Sequence, residues 1–471
     1  MADILKLVDD NAQDLIRIAD AIWDYSELGF RETQSAKIQA DYLEEQGFTV
    51  TRGAGGIPTA FVAQWGEGRP YIGFLGEYDA LAGVSQEVSP ERKPRVAGGP
   101  GHGCGHNLLG TAAMGAALAL KQALNEMKLP GTVRYYGCPA EELLAGKVYM
   151  AREGLFDDLD VAITWHPGSM NTVRLSSGTA LNSAKFQFFG KTAHAAGDPH
   201  NGRSALDAVE LMNVGANYLR EHVIKDATIH YVITSGGDQP NVVPAFAEVW
   251  YFVRAPRRDQ VEHIYERLVN VAKGAALMTE TTFEIDFLTG CYNVLLNEVL
   301  ADVMWDCLQK VGPPAFDDKD IEFGKKLAGT FDKAQMENMY KSPHFQEFPE
   351  LRQQVIHTSL LPPRGKNSSG GGSTDVGDVS WIVPTVQMSA ATVPIGCPGH
   401  SWQYCASAGS SIGHKGMIMA AKTMALCGLE LVENPGLIEK AWEEFREKTK
   451  DSPYKCPFPK DKEFPFDRFF S

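Results

Sequence analysis

Hydrophobic and polar positions along this chain repeat with two periods, and the switches between them lay out its elements. Residues 4–24 place Ile4, Leu5, Leu7, Val8, Leu15, Ile18, Ala19, Ala21 and Ile22 at helical spacing, and 31–47 form a second amphipathic stretch ending at Gly47. Two β-rich runs follow, Thr59–Ala63 and Tyr71–Gly76, the second leading into Glu77-Tyr78-Asp79. If the strand persists, those two carboxylates point the same way. An apolar run from Leu108 reads as a buried helix reaching about Lys128, then a strand over Thr132–Cys138 and another over Val161–Trp165.

Between about 182 and 295 the order changes to strand (Ala184–Phe189), helix (Ser204–Val223), strand (Thr228–Ile233), strand (Ala247–Val253), helix (Arg257–Leu277), strand (Thr281–Phe287). This β-α-β-β-α-β order is the ferredoxin-like split motif, which makes 182–295 an inserted domain. The chain then divides into 1–181 and 296–471, two parts of one α/β domain, with 182–295 between them. After 296 come a helix over 296–311 and an irregular polar segment, 314–372, with weak helical patterning near 316–328. The glycine- and serine-rich tract 366–373 suits a flexible linker or a mobile loop beside a site. A strand (Thr385–Met388) and a core helix (about His414–Leu431) follow, and the aromatic- and proline-rich tail after Pro453 has no regular period, so it lies across a surface or frays.

Composition narrows the function. With 471 residues, 44% hydrophobic and 22% charged, the chain can bury a large core over two domains. A formal charge of −15 argues against nucleic acid or anionic membranes as partners. No apolar run approaches the ~20 residues of a membrane span, and no basic-then-apolar leader opens the chain. Eight scattered cysteines lack the spacing of a disulfide scaffold, so a reducing, cytoplasmic setting is expected.

The candidate chemistry sits where elements end. Gly101-His102-Gly103-Cys104-Gly105-His106-Asn107 sets a thiol and an imidazole two residues apart in a glycine-rich loop opening a helix, a pairing that suits Zn²⁺ or a similar ion. The strand to Cys138 runs into Glu141-Glu142. Adjacent acids repel unless a cation or proton offsets them, so one can bind metal while the other moves a proton. His166 follows the next strand, and His400 lies in a glycine- and proline-bent loop. Cys104, His106, Glu142, His166 and His400 are too many for one tetrahedral zinc with an open position. They suit two ions ~3.5–4 Å apart that share a ligand. In the inserted domain, His194, Asn241 and Arg254 stand in or beside polar turns, and His414 opens the last core helix as a structural residue.

With those residues in view, the sequence resembles the di-metal amidohydrolases of the aminoacylase and carboxypeptidase G type, nearest the indole-acetyl-amino-acid hydrolase branch. The likeness is carried by Leu75–Gly83, Gly101–Ala113, Gly202–Val209, Ser373–Trp381 and His414–Met417. It implies a di-metal exopeptidase-like catalytic domain, a central mixed sheet flanked by helices, with an inserted ferredoxin-like lid that also dimerises. It further implies two divalent ions per subunit (Zn or Mn), held by Cys104, His106, Glu142, His166 and His400. Glu141 is the implied general base, and His194 reaches the partner subunit's site to stabilise the oxyanion. Asn241 and Arg254 hold the substrate carboxylate, and Asp79 stands with Glu141 and His194 among the catalytic residues. The substrate implied is an N-acyl or N-aroyl amino acid, of the p-aminobenzoyl-glutamate kind, or a dipeptide. The assembly is a homodimer, with a related second subunit as a further partner. Glu77 departs from the pattern by replacing a histidine, and Leu143-Leu144 replaces a glycine- and serine-rich run. Two alternatives stand beside this reading: a Cys104-dependent thiol hydrolase, and a non-catalytic relative that binds a ligand.

Overall fold

The computed structural model describes residues 3–366, 368, 370, 372–464 and 466. The N-terminal helical pattern is split at Asn11 into α1 (Ile4–Asp10) and α2 (Ala12–Tyr25), followed by α3 (Thr33–Glu45), β1 (Thr49–Arg52), β2 (Phe61–Glu67) and β3 (Tyr71–Glu77). Next come α4 (His106–Met127), β4 (Gly131–Cys138), α5 (Gly146–Arg152), β5 (Val161–Gly168) and β6 (Thr172–Val173). The inserted unit holds β7 (Ala180–Phe189), α6 (Ala205–Leu219), β8 (Thr228–Ser235), β9 (Phe246–Ala255), α7 (Arg258–Thr279) and β10 (Thr282–Cys291). The chain then continues through α8 (Glu298–Val311), α9 (Asp318–Ala328), α10 (Lys333–Met339), α11 (Pro343–Glu347), α12 (Val376–Ser380), β11 (Thr385–Ala391), α13 (Trp402–Ala408), α14 (Ser411–Glu433) and α15 (Pro435–Thr449).

Among the described residues the strands form two sheets. The larger has the order β1-β2-β4-β3-β5-β11-β6. Its centre, β4-β3-β5-β11, is parallel and its flanks are antiparallel. Side chains alternate between two buried faces. Ile72, Phe74, Tyr135, Ile163 and Trp165 pack with α4 and α14, while Leu75, Tyr136, Cys138 and Ala162 pack with α5 and α12. That double burial is why these strands read as continuous apolar runs. The small-residue helix α4 is buried along nearly its whole length. All four central strands send their C-terminal ends to one edge, where an open α/β sheet gathers its ligands.

The second sheet, β10-β7-β9-β8, carries α6 and α7 and has its own core around Phe186, Val209, Met212, Tyr251 and Leu268. Leu181 and Cys291, at its two chain crossings, pack into the core of the larger domain. β8 is an edge strand exposing Tyr231, Val232 and Ile233, and α6 exposes Leu211, Val214 and Tyr218 on one face.

Three features of the C-terminal third escape periodicity. The polar segment after α9 forms short helices rather than irregular chain. α15 follows α14 directly, and Ile438, Ala441 and Phe445 are its buried stripe. The tail does not fray where it is described: Phe458 is buried, and Phe464 stacks on Tyr149 with ring centroids 4.2 Å apart. Pro465, Phe469 and Phe470 of the tail, and Asn367, Ser369 and Gly371 of the glycine-serine tract, lie outside the described residues.

Candidate metal centre and active site

The centre is built on the first turn of α4. Gly105 caps that helix at φ 80°, a left-handed conformation that glycine takes without strain, so the chain reverses between Cys104 and His106. The N–H of His400 donates to Gly103 O at 3.1 Å, which ties the late histidine loop to the early cysteine loop. His400 itself sits at φ 52°.

The five candidate ligands come together as two triads that share Cys104: Cys104–His106–His166 and Cys104–Glu142–His400, the donor atoms of each within 4.8 Å of one another. Cys104 Sγ lies 3.5 Å from His166 Nε2, and His400 Nε2 lies 3.6 Å from Glu142 Oε2. Donors at about 2.0–2.3 Å from one tetrahedral zinc stand roughly 3.3–3.6 Å apart, so both spacings suit an ion between them. His106 Nε2 and Glu142 Oε1 are buried with no hydrogen-bond partner among the described residues. Buried polar atoms are rarely left so. A thiol, three imidazoles and a carboxylate, with two donor atoms orphaned, fit a pair of divalent ions.

Around these donors lies a shell of buried carboxylates. Asp79 uses both oxygens: Oδ1 meets His106 Nδ1 at 2.8 Å and Oδ2 accepts the Glu142 N–H at 2.8 Å. Engaging Nδ1 leaves Nε2 as the free donor of His106. Glu77 ends β3 with Oε2 3.3 Å from His106 Nε2 and groups with His106 and Glu141, outside both triads that contain Cys104. Its Oε1 pairs with Lys147 at 2.7 Å, and Lys147 Nζ also meets Asp375 Oδ1 at 2.6 Å. Lys147, Glu77 and Asp375 are all buried.

Burial sets the protonation of the site. It pushes the Cys104 thiol up to about 12 and Glu142 up to about 7. Glu141 is driven well above the usual carboxylate range by burial and then by the charge of Glu77. His166 is held well below the usual imidazole range by burial, with the charge of Arg174 adding to it. Among the described residues Arg174 has no acid within ion-pair distance, and its guanidinium meets only Gln387 Oε1, at 3.4 Å.

The candidate residues of the inserted unit stand apart from this cluster. His194 and Asn241 are exposed in adjoining loops, with Ala195 N–H donating to Asn241 O at 3.0 Å. His194 Nδ1 accepts from the N–H groups of Ala196 and Gly197 at 3.2 and 3.0 Å, which turns Nε2 outward. Arg254, half-buried near the C-terminal end of β9 and opposite Leu181, has a buried Nε without a hydrogen-bond partner among the described residues. No hydrogen bond or ion pair joins any of the three to the triads among the described residues. His414 pairs with Asp20 at 2.8 Å, a structural place.

Sequence reading passed over Lys147, Asp375 and Glu32. Asp375 lies inside a motif that carried the family likeness, but nothing local marked its side chain. A buried lysine is invisible until its two acids, 70 residues earlier and 228 later, are seen around it.

Comparison with known proteins places the chain in a family. Residues 179–278 match the peptidase dimerisation domain family. The chain is 44% identical over 474 residues to one of the subunits of p-aminobenzoyl-glutamate hydrolase from Escherichia coli (strain K12), covering 98% of each chain. It is 28% identical to the Xaa-Arg dipeptidase of Mus musculus, over 93% of this chain and 90% of the other. In fold it is similar to Bacillus subtilis YXEP protein, described as a dinuclear metal binding peptidase from the M20 family, with TM-score 0.57, 17% identity and coverage of 90% and 99%. The chain thus belongs to the M20-type metallo-amidohydrolase family that includes p-aminobenzoyl-glutamate hydrolase.

Proposed function

We propose that this protein hydrolyses the amide bond of an N-acyl or N-aroyl amino acid, p-aminobenzoyl-glutamate foremost, or of a dipeptide. The observation that carries the reading is the pair of donor triads sharing Cys104, with Glu141 adjacent in sequence to the ligand Glu142. Cys104, His106 and His166 would hold one divalent ion and Cys104, Glu142 and His400 the other, zinc or manganese by donor type. Ions bound there supply Lewis acidity, polarising a carbonyl and acidifying water. Glu141 takes the proton of the attacking water and passes it to the leaving amine. Asp79 acts by orienting His106 and the Glu142 backbone. Arg254 and Asn241 pair the α-carboxylate of the amino-acid half, for which the planar fork of arginine suits both oxygens.

His194 stabilises the oxyanion in the site of a partner subunit. Its outward Nε2 and separation from the triads of its own chain support that assignment, and the apolar face of β8 and α6 supports a homodimer. The Escherichia coli relative is named as one subunit of its enzyme, which supports a related second chain as a further partner. No described helix is long and apolar enough to cross a membrane, and the eight unpaired cysteines support a cytoplasmic setting.

The contact of Cys104 with His166 is the observation that favours a thiol hydrolase. A thiol pushed up to about 12 beside an imidazole held low is poorly activated for attack. The test is a hydrolysis screen over acylated amino acids and dipeptides with protein reconstituted in Zn²⁺, Mn²⁺ or Co²⁺, with and without EDTA. Turnover that needs metal supports the proposal. Turnover that survives EDTA and dies on alkylation supports the thiol enzyme, and no turnover of any amide sinks both.

A further inference from the structure

Glu32 is fully buried beneath the catalytic turn, yet it belongs to neither donor triad and to no ion pair among the described residues. Its Oε1 accepts the backbone N–H of Ala140 at 2.8 Å. Ala140 immediately precedes Glu141 and sits at φ 55°, ψ 41°, and Leu144, after the same short turn, sits at φ 53°. A non-glycine residue in that left-handed region costs roughly 1–2 kcal/mol and persists only where its surroundings hold it.

The hold comes from two sides. Asp79 grips the Glu142 N–H, and the segment before α3 grips Ala140. That segment is itself fixed, since Ala80 N–H donates to Glu27 O at 2.8 Å and Leu28 bridges Ala80. Gly29 lies so close that a Cβ there would stand 3.1 Å from Ala140 Cβ and 3.0 Å from Leu143 Cδ1. The turn bearing both glutamates therefore rests on residues 28–32. The second carboxyl oxygen of Glu32 is buried without a hydrogen-bond partner among the described residues, a costly way to satisfy one amide.

We propose that Glu32 is a positioning residue: by accepting the Ala140 N–H it fixes the left-handed turn from which Glu141 and Glu142 project. The roles of those two glutamates rest on the proposed function above. Burial, and then the charge of Asp79, pushes the Glu32 carboxyl up to about 8, so at neutral pH it is a neutral acid that glutamine imitates. The acceptor matters rather than the charge.

The experiment compares wild type, Glu32→Gln, Glu32→Met and Gly29→Ala as metal-reconstituted full-length protein. It reads kcat and KM on an acylated amino acid that the wild type hydrolyses, and Zn²⁺ affinity by chelator competition. Displacing a catalytic group by about 1 Å costs on the order of 10²-fold in rate. Glu32→Met should therefore lower kcat about 10- to 100-fold with KM within about twofold. It should also weaken one of two Zn²⁺ equivalents, that of the Glu142 set, by about tenfold. Glu32→Gln should stay within about threefold of wild type in both readouts. Gly29→Ala pushes the turn without touching Glu32 and should also lower kcat, which keeps the test open if Glu32→Met fails to fold. The proposal is overturned if Glu32→Met keeps half the wild-type kcat, if glutamine impairs as much as methionine, or if Gly29→Ala is indistinguishable from wild type. Should the wild type hydrolyse no amide, the proposed function fails separately, and Zn²⁺ affinity still reports on the turn.

Discussion

Lys147 offers the sharpest test of the electrostatics around the site. Its ammonium lies 2.7 Å from Glu77 and 2.6 Å from Asp375, all three buried. Replacing it with methionine keeps most of the apolar stem and removes the only lysine or arginine touching either acid among the described residues. Breaking a buried pair by removing one partner costs about 3–5 kcal/mol, because an uncompensated charge stays behind. Here Asp375 is left uncompensated and Glu77 keeps only His106, so Lys147→Met should lie within that range at pH 8. The deficit must shrink in acid. With the cation gone burial holds the Asp375 carboxyl still higher in the folded state, so the folded variant binds more protons than the unfolded chain. Its stability then falls as pH rises from about 4 and recovers as pH drops. Burial already pushes Asp375 up to about 6 with Lys147 in place. Urea unfolding of EDTA-treated protein at pH 5.5 and 8 measures both effects, and Lys147→Met/Glu77→Gln should regain part of the loss. A single variant within 1 kcal/mol of wild type at pH 8, or equally weakened at both pH values, would refute the reasoning.

Other outcomes follow from the same geometry. Glu141→Gln should bind both metal equivalents yet lose about 10²–10⁴ in kcat; a tenth of wild-type turnover in that variant contradicts its role as base. His357 is buried, accepts the Asn171 N–H at 3.0 Å, and is held down to about 4 by burial. Because the unfolded imidazole titrates near ~6.5, the stability it supports is present above that pH and lost as pH falls toward 4, by up to about 3 kcal/mol. Urea titrations of His357→Gln should show a flatter acid limb, and a slope equal to wild type removes the assignment. Val232→Lys places a charge on the exposed edge strand β8. Light scattering should then report a monomer, with activity falling alongside if His194 works in trans.

The chain disclosed its donors far better than their supports. Cys104, His106, Glu142, His166 and His400 each end or flank a helix or strand with a clear period, which is where the strand ends of an α/β sheet are expected to gather side chains. The split β-α-β-β-α-β order was legible for the same reason, since both helices and all four strands are amphipathic around one core. The residues that hold the donors are different. Glu32, Lys147 and Asp375 are ionisable groups in places where local pattern predicts solvent, and only partners distant in sequence make their burial tolerable. α15 was hidden behind Pro435-Gly436, which reads as a break but opens the helix as its first turn. Asp79 stood out as a carboxylate; that both its oxygens are spent on His106 and Glu142 required coordinates.

The strand order of the larger sheet makes its completion wait on a late part of the chain. Among the described residues β11 is the last strand in the chain, yet it lies between β5 and β6, and the His400 loop follows it. A nascent chain that has just released the lid from the ribosome already carries Cys104, His106, Glu142 and His166, but lacks the strand that fills the gap and the histidine that completes the second triad. If the triads hold ions as proposed, the second is complete only once His400 has been made, and a fragment ending after β10 would present a thiol, two imidazoles and a carboxylate as a half-built chelator.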